Sequence, residues 1–397
     1  MTLVACGPTG PRPARLDASK ATAIEVATVG DARQFCPGGE AIQLAVAVST
    51  TDGKRLDTWS PGEGRDGKLP FTAFEYTTTW GQVDTDGYVR LPDDAIAAIG
   101  RLVTVEVRVV ERPDLVGQIA LEPNFGCGGT LGGLGAAGSS GWRGDGGQDG
   151  RSGDAGTDSR DGAPGEHGSD GGHGSGGGRG GPGPRVEAAL AYVDTATGQR
   201  LAVLRTWADG GISTTVFDPA GNQWGVVALG GDGGGGGSGG GGGRGGAGGS
   251  GTYKTSGSSS GSGSGSSDPG KPGTAGGSGG DGGRGGDGGN GGDGGDGGTI
   301  ELIYDPAAPE LLERVILDNR GGRGGGAGWA GDAGYGGSSG AGERRGNDGR
   351  GGQQGRAGVS GRDGVGGPRA VVRAGDVRPL FADLAERGLT LATPDVR

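Results

Sequence analysis

The sequence predicts a mainly β protein combined with polyglycine II, and three observations carry that reading. The 397 residues include 107 glycines and only 5% aromatics, too few large side chains for one continuous core, so only part of the chain is expected to be globular. Apolar and polar residues alternate with period two through residues 22–125, which predicts half-buried strands. Beyond residue 125 the dominant period becomes three, with glycine at 126, 129, 132 and every third position to 183 except Ser159.

Residues 1–21 read as a tether. In 22–125, Ile42, Leu44, Val46 and Val48 alternate with Gln43, Ala45 and Ala47, and Val103, Val105, Val107 and Val109 alternate with Thr104, Glu106 and Arg108. "TAIEVATV" and "FEYTTTW" add strands, Asp52-Gly53 and Asp86-Gly87 are turn signals, and "LPDDAIAAIG" offers one helical turn. About seven short strands over ~100 residues predict a sandwich similar to bacterial immunoglobulin-like modules.

Residues 126–184 form a Gly-x-y tract. Within 185–229, "VEAALAYVD" and "QRLAVLRTWAD" flank "TATG" as a hairpin, followed by "GISTTVFDPA" and "QWGVVAL". Residues 230–298 hold nearly pure Gly-Gly-x tracts, interrupted at 252–269 by a Gly/Ser loop. The segment 299–320 repeats the strand-plus-"DPA" pattern and adds "PELLERVIL", read as a short helix. A second Gly-x-y tract fills 321–368, with Glu343 the one lapse from phase between 322 and 367. Residues 369–397 predict a helix or strand cap, with Asp376 before Leu380, Phe381 and Leu384, and Gly388 as the stop.

A three-residue period in an extended chain is that of polyproline II, which has no internal hydrogen bonds, so every backbone N–H and C=O needs a partner outside its own segment. Where two residues in three are glycine, neighbouring segments can approach on two sides while x points away. That predicts a polyglycine II helical bundle with 230–251 and 276–298 at its centre, the Gly-x-y tracts peripheral, and the apolar pieces gathered into a small β-rich capping module. With 20 prolines the chain lacks the composition of ordinary collagen, and a homotrimeric collagen-like stalk is the alternative.

"LVACG", with Leu3, Val4, Ala5 and Cys6, resembles the lipobox of bacterial lipoproteins, which implies lipidation of Cys6, a membrane anchor and an extracytoplasmic, outer-membrane or cell-surface location. Only five residues precede Cys6, so a complete signal peptide would begin upstream of Met1. Lipidation would leave Cys36 and Cys127 as a pair. A disulfide there suits an oxidising compartment, and two unpaired thiols are the alternative. The glycine tracts resemble the polyglycine II bundles of snow flea antifreeze protein and long-tailed phage adhesins. The lipobox, β domain, "CGG", Gly-x-y tracts and "DPA" segments together resemble the collagen-like, glycine-rich surface lipoproteins of myxobacteria. These resemblances imply architecture and surface location, not an activity.

The net charge of −11 disfavours nucleic acid and anionic membrane surfaces as partners. Residues 22–125 contain no histidine and no paired catalytic groups, so no enzyme, cofactor or metal is expected. "GSSSG" around Ser259 matches a nucleophile elbow without a strand leading into it. "RGD" at Arg143 to Asp145 is a chance product of the tract's composition. Asp281, Asp287, Asp293 and Asp296 lie on one edge as an alternative calcium or surface-binding row, and His167 and His173 share another. Exposed Trp142, Trp329 and Tyr335 are candidates to bind a surface or matrix polymer, carbohydrate included. The expected function is a non-enzymatic structural or adhesive surface lipoprotein; monomer and self-assembly both stay open.

Overall fold

A computed structural model describes residues 13–30, 33–254 and 271–392. The protein is mainly β, with its strands in four sheets. In the N-terminal part, β1 (Ala21–Thr28), β3 (Ile42–Thr50), β4 (Arg55–Asp57), β6 (Gln82–Val83) and β7 (Tyr88–Arg90) form one sheet. The second contains β2 (Gln34–Phe35), β5 (Phe74–Thr78), β8 (Val103–Val109) and β9 (Arg112–Pro123). The alternation read from the sequence decides which side chains go inward: Val103, Val105, Val107 and Val109 are buried with Leu44, Val46 and Val48, while Glu106 and Arg108 pair on the outer face. "LPDDAIAAIG" makes turns rather than a helix, with Asp94 Oδ1 accepting the N–H groups of Ile96 and Ala97.

The remaining strands are β10 (Gly129–Leu134), β11 (Arg185–Thr195), β12 (Arg200–Ala208), β13 (Gly211–Phe217), β14 (Trp224–Leu229), β15 (Thr299–Tyr304), β16 (Val315–Asp318), β17 (Val371–Ala374) and β18 (Leu389–Leu391). A three-stranded sheet, β10-β14-β16, is entirely parallel. The six-stranded sheet runs β13-β12-β11-β15-β17, with β18 on β11, and its β11, β15 and β17 are mutually parallel. Val186, Leu190, Leu204, Ile300 and Leu302 of the larger sheet meet Val226 and Ala228 of the smaller in one core. The opposite face of the larger sheet, through Ala189, Ala191 and Val193, joins the core of the N-terminal sheets, and Phe381 and Leu384 pack into the same cluster.

Two further elements differ from expectation. "PELLERVIL" divides into a 3-10 turn, Pro309–Arg314, and strand β16, because the β-branched Val315 and Ile316 pair with β14. "GTLGGL", the start of the first Gly-x-y tract, is strand β10, since Leu131 packs on the second core. The C-terminal element, Arg378–Arg387, is a 3-10 segment kinked at Phe381; Gly388 ends it at φ 77°.

The glycine tracts make three out-and-back excursions. Each leaves a strand of the three-stranded sheet and returns into a strand of the larger one. We label them out1 (135–156) and back1 (162–183), between β10 and β11; out2 (230–251) and back2 (276–298), between β14 and β15; and out3 (322–340) and back3 (346–367), between β16 and β17. The two lapses in glycine phase mark reversals: Ser159 lies in the turn closed by Thr157 and Arg160, and Glu343 lies between out3 and back3. Most of the expected Gly/Ser loop falls outside the described residues.

Parallel neighbours bond within each layer. Gly138 N–H donates to Asp232 O (2.7 Å) and Gly239 N–H to Trp329 O (2.8 Å), linking out1 to out2 and out2 to out3. Gly174 N–H donates to Asp287 O (2.9 Å) and Gly288 N–H to Arg356 O (2.8 Å), linking the back segments in the same way. Antiparallel neighbours bond between layers, as in Gly172 to Asp145 O (2.7 Å), Gly240 to Gly172 O (2.9 Å), Gly286 to Gly240 O (2.8 Å), Gly331 to Gly286 O (2.8 Å) and Gly355 to Gly331 O (3.0 Å). Out2 and back2 therefore each have four bonded neighbours, back1 and out3 three, and out1 and back3 two.

Candidate functional site and interaction surfaces

Neighbour number and composition correspond in the two central segments and in out3. A Cβ on Gly240 would fall on the Asp145 carbonyl, and one on Gly239 on the Gly286 carbonyl, so the central segments must be glycine at two positions in three. Among the described residues none of the glycines in these segments has positive φ, so what selects glycine is the missing Cβ rather than left-handed backbone. Out3 carries only Gly, Ala or Ser at 324, 327, 330, 333, 336 and 339, the side facing back3. The outermost segments are limited by their own side chains. On back3, Asp348 and Asp363 accept the N–H groups of Ser339 and Gly324 (both 2.8 Å), covering the flank on which a further segment would add.

The third residue of the triplets faces outward, and at a number of positions a side chain from the parallel neighbour accepts its N–H. On the back layer, Nδ1 of His167 accepts the Asp281 N–H (2.8 Å) and Nδ1 of His173 that of Asp287 (3.0 Å). In turn Asp281, Asp287, Asp293 and Asp296 accept from Arg350, Arg356, Arg362 and Val365 at 2.7–2.9 Å. On the out layer, Asp149 and Asp232 do the same for Arg244 and Arg323 (both 2.7 Å). The Arg356 N–H, ahead of the charge of Arg284, holds the Asp287 carboxyl below the usual carboxylate value. This row of acids acts as a ladder of backbone acceptors. Among the described residues no group of three or more His, Cys, Asp or Glu side chains could hold a metal ion.

Trp142, Trp329 and Tyr335 are 83%, 78% and 72% exposed and do not come together: Trp142 lies on out1, the other two on out3, with out2 between. Arg244 lies over the Tyr335 ring at 5.7 Å. Cys36 and Cys127 form a disulfide with Cα atoms 5.8 Å apart. Cys6 and Ser259 lie outside the described residues.

A groove of about 850 Å³ runs over the six-stranded sheet beside Arg378–Arg387. It exists because one sheet face changes character along its strands. On β11, Ala189, Ala191 and Val193 enter the core, while Arg185 and Glu187 of the same parity line the groove; on β12, Leu201 and Val203 give way to Arg205 and Trp207. Arg185 pairs with Glu187 (3.0 Å) and Glu301 (3.1 Å). Arg205, 8% exposed, donates to Asp383 Oδ1 (2.6 Å) and Oδ2 (2.8 Å), to Thr214 Oγ1 (2.8 Å) and to the Leu380 carbonyl (2.7 Å). That guanidinium holds the Asp383 carboxyl below its ordinary range. Arg373 and Asp209, both on the groove wall, have no ion-pair partner among the described residues. Sequence reading missed the groove; the signal was the switch from "RVE" to "AALAYV" within one strand.

No protein family matches this chain, and neither a curated protein nor a solved structure is significantly similar to it. Among the described residues no helix is long and apolar enough to cross a membrane.

Proposed function

We propose that this chain is a non-enzymatic structural or adhesive lipoprotein of the cell surface, anchored through Cys6, in which an immunoglobulin-like sandwich carries a polyglycine II bundle. The observation that carries the reading is the glycine lattice: six extended segments bond one another through their glycine N–H groups and turn almost all their larger side chains to solvent. Such a body has little interior in which to build an active site and much outer surface, which suits display and contact rather than turnover. Pairing within a single chain also occupies the glycine N–H groups that a collagen-like trimer would direct to partner chains. The Cys36–Cys127 bridge favours an oxidising, extracytoplasmic setting.

Fractionation of cells producing the full precursor, with labelled palmitate, tests the reading. The expected result is labelled protein in the envelope fraction, trimmed by protease added outside the cells, and an unlabelled Cys6→Ser variant. Recovery of unlabelled protein in the cytoplasm would overturn it. Native-state amide exchange tests the bundle separately: protected N–H groups through 230–251 and 276–298 are expected, and random-coil exchange there would reject it.

A further inference from the structure

The groove over the six-stranded sheet is absorbed by neither the glycine lattice nor the anchor. We propose that it binds an extended neutral oligosaccharide, a stretch of a polysaccharide chain. The inference rests on the adhesive reading and gives that reading a ligand class.

Four features of the groove select this class. First, length: residues from β13, β12, β11, β15 and β17 all line it, so it crosses four strand spacings, or about 19 Å, at right angles to the strands. A single sugar or a small metabolite would fill only part of that span. Second, charge: Arg185 is paired with both Glu187 and Glu301 and Arg205 with Asp383, and with Arg373 and Asp209 the groove carries three guanidiniums and four carboxylates, interspersed and close to balance. A polyanion would meet the carboxylates and a polycation the guanidiniums, whereas hydroxyl groups both donate and accept. Third, donors and acceptors of fixed geometry are on hand: the planar guanidinium of Arg373, the carboxylates and the indole N–H of Trp207, which has no hydrogen-bond partner among the described residues. Fourth, Trp207, Ile212 and Ile303 supply apolar surface against which the C–H face of a pyranose ring can lie, and Ile212 is exposed.

The wall of the groove is held ready before any ligand arrives. Arg205 ties Leu380 and Asp383 to β12 and, through Thr214, to β13, so the 3-10 segment stands fixed over the sheet. A site whose wall is already ordered loses less entropy on binding.

The test uses the full chain, titrated with three probes: β-1,4-linked glucohexaose, β-1,3-linked glucohexaose and the hexamer of N-acetylglucosamine, read by tryptophan fluorescence and calorimetry. At least one is expected to bind saturably. Trp207→Ala should then weaken it by about tenfold or more. Arg373→Ala, a change at an exposed position on an edge strand, should weaken it by at least about threefold with the thermal midpoint unchanged. Trp329→Ala on the glycine segments should leave the affinity as it is. Failure of all three hexamers to bind overturns the inference, as does binding that survives both groove variants. Binding lost with Trp329→Ala instead would move the ligand to the glycine face, sinking the groove site while sparing the adhesive reading. Because Arg373 is exposed, the test stands even where Trp207→Ala does not fold.

Discussion

At the scale of single residues, a glycine's neighbours decide what replacing it does. A methyl group on Gly240 would meet the Asp145 carbonyl, whereas nothing lies within 4 Å of one built on Gly326. Gly240→Ala is therefore expected to destabilise by roughly 1–3 kcal/mol. Gly326→Ala should be neutral, or stabilising by up to about 1 kcal/mol through its effect on the unfolded chain. Urea denaturation of the two variants compares them directly, and equal effects would contradict the lattice. The acceptor ladder has a pH signature. The Asp287 carboxyl titrates below its ordinary value of 3.8 because it accepts the Arg356 N–H, so its contribution is complete above that value and disappears as pH falls below it. Protection of the Arg356 amide, corrected for intrinsic exchange, should fall on acidification below about 3.8, and Asp287→Ala should show low protection throughout.

At the scale of elements, the two parallel sheets set the order of the glycine segments. The spatial order β10-β14-β16 continues as out1, out2 and out3, and β11-β15-β17 continues as back1, back2 and back3. Strands in a sheet lie about 4.8 Å apart, close enough for glycine chains to inherit the spacing with no side chain between them. Register in the lattice thus begins in a conventional apolar core. Leu302→Ala, which empties a fully buried site on β15, is expected to cost about 2–5 kcal/mol. It should also raise exchange along back2, beyond the reach of the deleted atoms; exchange confined to β15 would mean that the glycine layers hold register without the sheets. Insertion of one alanine after Gly285 tests the same point, because it turns x side chains into the lattice for the rest of back2. Loss of a cooperative unfolding transition is the expected outcome.

At the scale of the whole molecule, three repeats of strand, excursion and strand are clamped at one end by cores, and at the other Thr274 Oγ1 donates to Thr157 O (3.2 Å) and the Lys254 N–H to Glu343 Oε2 (3.0 Å), tying one excursion to the next. The core of the N-terminal sheets is continuous with one face of the six-stranded sheet, and Arg387 pairs with Asp94 across that junction. The Cys36–Cys127 bridge, 91 residues apart in sequence, closes the N-terminal part beside the start of β10. On the chain-entropy account such a bridge contributes about 4 kcal/mol. Reduction, or Cys36→Ser, should lower the denaturation midpoint by a corresponding amount, and an unchanged midpoint would show that the bridge adds nothing to stability.

Much of this was open to a reader of the sequence. Period two in 22–125 determined which valines are buried, since side chains on a strand alternate whatever the partner strand is. Period three, with two glycines per triplet in 230–251 and 276–298, determined that these segments are approached from more sides than the rest. The Gly/Ala/Ser series in out3 and the phase lapses at Ser159 and Glu343 were equally legible, since each reports whether a Cβ is tolerated at a given place. Only the tertiary structure decided which segment lies beside which, that each Gly-x-y tract folds back on itself, and that a groove opens over β11 and β12. Backbone carbonyls along one glycine triplet are chemically the same as those along the next, so the tracts carry no label for their partners. That label comes from distant apolar strands whose pairing the local pattern does not specify.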